Sequence, residues 1–371
     1  MHLILAAVLT LTHVNVVDVE RGTVRRDTTL RVAGEVERTI DGRGKFVMPA
    51  LWDMHAHVPD DAVGRDAYLP LFVANGVTGI RVMEGSPALY GWRDAIGRGA
   101  LPGPRMVVAS ALLRGPMSAA DARKAVQEAK RGGADFVKVH DGLSREAYDA
   151  IVREARRQRL PVAGHVPASM TVAEVSCAGQ VTIEHMMGIV AAGPGVFPLL
   201  RRNRTWECPT LIMRHNYAYL DDRARAGDPR LQYVRPSTRE RWIGMLGPSH
   251  DDWKRTFAAE KELVGKMAGA GIGILAGTDN GNPFVFPGFS LHDELALLVE
   301  AGLTPVEALR AATLAPAKLL RVPMTDFVLL GANPLDDIHN TTKIDAVIVR
   351  GRYLDRAALD AILANAARSL R

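Results

Sequence analysis

The sequence predicts an α/β protein: a (β/α)8 TIM barrel with a small β-sandwich domain built from the N- and C-terminal segments. Three observations predict it. From Phe46 onward, eight apolar stretches of strand length alternate with helical patterns, which implies a parallel sheet, and a closed barrel is the commonest arrangement of eight such strands. Both ends of the chain carry short alternating strand patterns outside that repeat. An open doubly wound sheet, the rival, would normally place a Gly-rich phosphate-binding turn after its first strand; the turn here is His55-Ala56-His57. The expected division is residues 1–45 and 321–371 for the two halves of the small domain and 46–320 for the barrel.

Taken in order, residues from about Leu11 to Ile40 read as short strands. Val14, Val16 and Val17, then Leu30 and Val32, offer apolar faces, and Glu20-Arg21-Gly22 and Ala33-Gly34-Glu35 make the turns. The barrel strands are expected at Phe46–His57, Val77–Met83, Arg105–Ser110, Asp135–His140, Pro161–Val166, Val181–His185, Trp206–Met213 and Ile272–Thr278. Between them, Ser118–Arg131 opens on a capping serine, and Ser144–Arg159 sets Tyr148, Ile151, Val152 and Ala155 on one side. Thr171 with Glu174 and Thr304 with Glu307 form capping boxes, with Pro305 at the first helical position of the second. Asp221–Asp252 is polar and reads as a helical excursion on a barrel loop. Phe327–Leu330 and Ala346–Val349 return to strand and are expected to pair with the N-terminal strands. A helix over Asp355–Leu370 closes the chain.

Composition bounds the function. The chain has 371 residues, 47% hydrophobic and 23% charged, with a formal net charge of +5, which suits an ordinary globular protein. The arginine excess lies along helix faces and in Arg201-Arg202-Asn203-Arg204, without interleaved aromatics, so no nucleic-acid partner is expected. Cys177 and Cys208 stand in no metal-binding or redox spacing. No stretch is long enough for a transmembrane helix. The apolar start, Met1–Leu9, lacks a basic leader region and runs into an alternating strand. Localisation is therefore open between cytoplasmic and, if that start is a signal remnant, exported. Homo-oligomer formation is also left open.

The chemistry-bearing residues sit at the ends of apolar runs. His55 and His57 alternate onto the same side of a strand, and two adjacent imidazoles suit a divalent metal. Lys138 lies inside Phe136-Val137-Lys138-Val139, where burial favours its neutral amine. A neutral amine can take up carbon dioxide to give a carbamate able to bridge two cations. His165 follows Val162-Ala163-Gly164, His185 follows Val181-Thr182-Ile183-Glu184, and Asp279 closes Ile272–Thr278. Either histidine alone reads better as a hydrogen-bonded core residue, and the carboxylate needs a partner, whether arginine, backbone N–H groups or a metal. Together, on strands one, four, five, six and eight, they would meet at the C-terminal rim of a barrel, where such folds place their chemistry. His140, two residues after Lys138, is a candidate for substrate contact or for a core role.

The order His-x-His, Lys, His, His, Asp resembles the amidohydrolase superfamily of the two-metal type, over nearly the whole chain. Trp52-Asp53-Met54-His55-Ala56-His57, Gly164-His165-Val166-Pro167, Ile183-Glu184-His185 and Gly277-Thr278-Asp279 resemble its imidazolonepropionase-related, Xaa-Pro dipeptidase-like branch. The resemblance implies that His55, His57 and Asp279 hold one divalent ion and His165 and His185 the other, most often Zn2+, with carboxylated Lys138 between them. It also implies a hydroxide bridging the metals, with Asp279 as general base and then acid. The expected reaction is hydrolysis of a C–N bond in an amide, a dipeptide or a cyclic amide, the substrate being a small molecule or short peptide. A one-metal deaminase of the same superfamily is the first alternative; Lys138 and the lack of a glutamate shortly after His165 speak against it. A metal-binding barrel impaired in catalysis is the second, raised by an N-terminal β unit, a loop at Ala111–Pro116 and a turn near Leu320–Asp326 that are all short for this branch.

Overall fold

The computed structural model describes residues 7–248 and 250–370. The leader reading of the apolar start falls largely on residues 1–6, outside the described residues. From Ala7 the chain is strand: β1 (Ala7–Asp18) and β2 (Thr23–Gly34) form an antiparallel hairpin in register from Ala7↔Gly34 to Asp18↔Thr23. Asp18 closes the turn by accepting hydrogen bonds from the backbone N–H groups of Glu20 and Arg21, and Gly22 takes a φ of 71°. The hairpin is longer than the short strands read from the sequence. The register shifts between Leu11 and Val16, around His13 at a φ of 54°, and that bulge breaks the alternation that would have marked one continuous strand.

β3 (Arg38–Asp41) and then β4 (Phe46–Pro49) lie parallel to successive parts of β1. β4 also pairs antiparallel with β12 (Phe327–Leu330), followed by β13 (Ile344–Val349) and β14 (Arg352–Asp355). Strands from both chain ends therefore form one seven-stranded sheet. The pairing differs from the two-sheet sandwich expected, because β1 runs on through its bulge and holds β2 on one edge and β3 and β4 on the other. Leu9, Leu11, Val14, Val47, Leu329 and Ile348 make its apolar cluster.

The stretch Phe46–His57, read as one strand, divides at Ala50, whose N–H donates to Asp326. β5 (Leu51–Ala56) leaves the end sheet and starts a TIM-barrel-like α/β arrangement. It forms a parallel arc with β6 (Val77–Val82) and β7 (Arg105–Val108). A second arc contains β8 (Val137–Val139), β9 (Val162–Gly164), β10 (Thr182–Glu184) and β11 (Trp206–Cys208). Single bridges, Ala109↔Phe136 and Glu207↔Ile274, lead from one arc to the next segment. Ile272–Thr278, expected as the eighth strand, is not a regular strand. It is nonetheless held on both sides: Leu275 N–H donates to Glu207 at 2.8 Å, and Met54 N–H donates to Ala276 at 2.9 Å. A Cβ on Gly273 would stand 2.1 Å from the Trp206 ring, and one on Gly277 2.5 Å from Cys208 Sγ. Both glycines leave room for a neighbouring side chain where a Cβ would collide.

The helical signals act as read. Ser118 and Ser144 cap the helices Ala119–Gly132 and Arg145–Gln158, and both capping boxes form. Trp206–Met213 does not stay extended: β11 stops at Cys208, Pro209 and Thr210 (φ 50°) turn the chain, and a helix begins at Leu211. The last helix, Arg356–Ser369, is capped by Asp355 and packs Ala366 and Leu370 against Ala67, Tyr68 and Leu71. Among the described residues no helix is long and apolar enough to cross a membrane.

Candidate metal centre

Parallel strands place their C-terminal ends side by side, and the six residues singled out in the sequence lie there. His55 is in β5 and His57 just beyond it, Lys138 is in β8, and His165 and His185 directly follow β9 and β10. Asp279 ends the extended eighth segment. All six, with His140, line one cavity of about 370 Å3. Asp279 Oδ1 is 3.0 Å from His57 Nε2 and 3.5 Å from His55 Nε2, and its other oxygen is 3.8 Å from His185 Nδ1. The His55 and His185 ring centroids are 4.4 Å apart, those of His165 and His185 5.0 Å, and those of His140 and His165 3.9 Å.

The backbone is bent to aim these groups. His185, Met186 and Asp279 adopt φ values of 62°, 56° and 56°, a left-handed region unusual for such residues and common where a site is over-determined by its surroundings. Glu207 accepts a hydrogen bond from Met186 N–H, and Asp279 N–H donates to the His55 carbonyl at 2.7 Å. Asn280 brackets the His57 backbone, accepting from its N–H and donating to its carbonyl.

Three imidazoles are also fixed at their Nδ1 side. His55 Nδ1 is 2.8 Å from Glu184, His165 Nδ1 is 3.1 Å from Asp141, and His185 Nδ1 is 2.7 Å from the Thr210 hydroxyl, which itself donates to the Pro209 carbonyl. With Nδ1–H donated to these partners, each Nε2 lone pair is left free, an arrangement common among metal-binding histidines. Burial lowers the His55 pKa to about 3 and that of His165 to about 4, and it also lowers His185. Burial likewise lowers the pKa of Lys138, which is 1% exposed. The cavity therefore presents nitrogen donors and a carboxylate, and the possible ligand atoms of His55, His57 and Asp279 lie within 4.8 Å of one another. This donor set fits a divalent ion of borderline softness.

The residues that hold these candidate ligands in place are not among those the sequence singles out. Arg81, 2% exposed, donates to both oxygens of Glu184, at 2.8 and 3.0 Å, and to the Met54 carbonyl. Asp53, fully buried, accepts from the Thr278 hydroxyl and from the N–H groups of Thr278 and His55, tying the first strand to the eighth segment; burial raises its pKa to about 7. Charged residues inside apolar strands were the available signal. Glu184→Gln is expected to lower metal affinity about 10–100-fold, the usual effect of losing a histidine's outer partner. It should also cost about 3–5 kcal/mol of stability, because Arg81 is left as a buried unpaired charge. The double variant Arg81→Met, Glu184→Gln should regain stability but not metal affinity, as read by denaturation and metal titration.

The amidohydrolase family matches residues 46–354. No curated protein matches the sequence. Among solved structures, a bottromycin amidohydrolase is 25% identical, with 97% of this chain and 90% of that chain covered at a TM-score of 0.80. A protein described as a prolidase from Bifidobacterium longum is 24% identical, with 97% and 99% covered and a TM-score of 0.78. A Xaa-Pro dipeptidase with methionine bound in its active site is 19% identical, with 94% and 100% covered and a TM-score of 0.74. The last two likenesses are of fold.

Proposed function

The chain belongs to the amidohydrolase family, and on that premise we propose that it is a two-metal hydrolase of a C–N bond in a dipeptide, an N-acyl amino acid or a cyclic amide. The observation that carries the reading is the convergence of six sequence-distant side chains on one cavity. His55, His57 and Asp279 would hold one ion and His165 and His185 the other, with zinc the best match to a nitrogen-and-oxygen donor set. Lys138 would join the two sites. Its neutral amine adds to carbon dioxide and loses a proton, giving a carbamate with two oxygens. When bound, such ions supply Lewis acidity that polarises a carbonyl and acidifies water. The barrel would occupy residues 46–320, closed through the extended eighth segment, with residues 1–45 and 321–371 forming the attached β domain.

The chain's own residues have separable parts in this reaction. Asp279 takes a proton from the attacking water and returns one to the departing nitrogen, acting as base and then acid. Its backbone is pinned by its own N–H bond to His55 and by Asn282, which donates to its carbonyl at 2.9 Å. His140 faces the same cavity and would contact substrate. The Arg81–Glu184 pair keeps the His55 ring from turning. The buried lysine favours this reading over a one-metal deaminase, which has no use for a bridging anion at that place.

A turnover screen over dipeptides, N-acyl amino acids and lactams, run on metal-loaded protein with Asp279→Asn as the control, tests the proposal. Hydrolysis well above the control is expected for at least one class. Absence of turnover in all three with both metals bound would leave a metal-binding barrel without this activity.

A further inference from the structure

The cavity that contains the candidate ligands has one more charged group in its wall, Arg214, on the helix Leu211–Ala218. Apart from Lys138, itself a candidate ligand, Arg214 is the one lysine or arginine among the described lining residues. It is held on three sides. Its Nε is 3.1 Å from Glu260, a residue with a side chain 3% exposed; its Nη2 reaches the His185 carbonyl at 3.5 Å; and its guanidinium carbon lies 5.4 Å from the centre of the Trp253 ring. Trp253 stacks in turn on Tyr217, whose hydroxyl donates to Asn282, the residue bonded to Asp279. A guanidinium has five N–H donors in a planar fork. Glu260 faces one of them and the His185 carbonyl is a long contact for a second, so the Nη1 edge is without a protein acceptor among the described residues. The side chain is 17% exposed and lines the cavity.

We propose that Arg214 is the anchor for a carboxylate on the substrate, which makes the substrate an anionic amide. This rests on the hydrolase reading above. A planar fork with a free edge pairs with a carboxylate through two parallel hydrogen bonds. Leu112, Met187 and Met213, also in the wall, give the organic body apolar surface. Arg214 touches the chain at His185, so an acid seated on it lies beside the candidate metal ligands, within the reach of a small molecule in a cavity of about 370 Å3. The carboxylate can come from either side of the scissile bond. It is on the leaving amine in an N-acetyl amino acid, and on the acyl part in the monoamide of a short dicarboxylic acid.

The test uses metal-loaded full-length protein and matched pairs: N-acetyl-methionine against its C-terminal amide, and the mono-anilide of succinate against butyranilide. Both binding, by calorimetry, and turnover are measured. Wild-type protein is expected to favour one acid over its neutral partner by tenfold or more, and the pair that shows the preference identifies the side. Arg214→Met should remove most of that preference through KM, with kcat changed less, and Arg214→Lys should keep part of it. If Arg214 served only to neutralise Glu260, the double variant Arg214→Met, Glu260→Gln would regain the wild-type preference; the anchor role requires that it does not. Equal affinity of wild-type protein for acid and neutral partner in both pairs overturns the inference while leaving the hydrolase reading intact. Binding preference for an acid without turnover supports the anchor and counts against hydrolysis.

Discussion

Lys138→Ala is expected to lose nearly all hydrolytic activity, by a factor on the order of 10³ or more given the weight of charge stabilisation in such sites, and to regain part of it when formate or acetate is added. The reason lies in where the lysine sits. It is 1% exposed, in the middle of β8, and burial pushes its pKa down. A cation there would face steep desolvation, whereas a neutral amine is free to react with carbon dioxide. Truncation to alanine leaves a space open to the cavity, and a small carboxylate can occupy it and offer two oxygens in place of those a carbamate on Lys138 would supply. Lys138→Met keeps the volume but fills that space with an apolar chain, so it should be inactive with no rescue. Without metal, it should be at least as stable as wild type, since no amine is then buried. Full activity in untreated Lys138→Ala, or equal rescue of both variants, would take Lys138 out of the centre.

Asp279→Asn carries the second large effect. The substitution preserves shape, so the backbone bonds that place residue 279 should survive. It removes the proton acceptor and the carboxylate charge, whose two oxygens lie near His55, His57 and His185. A fall in kcat of about 10²–10⁴-fold is expected from the loss of general-base action, together with a drop in metal held at the His55 and His57 side. The acid limb of the pH–rate profile should shift or vanish in the residual activity. A variant with unaltered kcat and metal content would show that another group moves the proton.

The candidate ligands that line the cavity are legible in the sequence because each one interrupts or ends an apolar run: a histidine after Val162-Ala163-Gly164 or a lysine between two valines is conspicuous by contrast. The residues behind them were harder to read. Glu184 and Arg81 also lie in apolar strands, yet their role depends on a contact across the interior between β6 and β10, and separation along the chain hides that pairing. Arg214 falls on an ordinary-looking helix, and nothing local marks which way it faces. The bulge at His13 disguised one long strand as short ones. The eighth segment has the apolar composition of a strand and keeps backbone bonds to both neighbours, but it forms a single bridge in place of a continuous ladder. Capping serines and threonines, by contrast, act within four residues and were read correctly from local pattern alone.

Zinc-edge anomalous diffraction from crystals of the metal-loaded protein bears most directly on whether these six side chains form one two-metal centre. The expected map has two peaks per chain, one touching His55, His57 and Asp279 and the other His165 and His185, with density continuous from the Lys138 side chain to both. A single peak, peaks elsewhere, or a Lys138 side chain ending as a free amine away from the ions would contradict it.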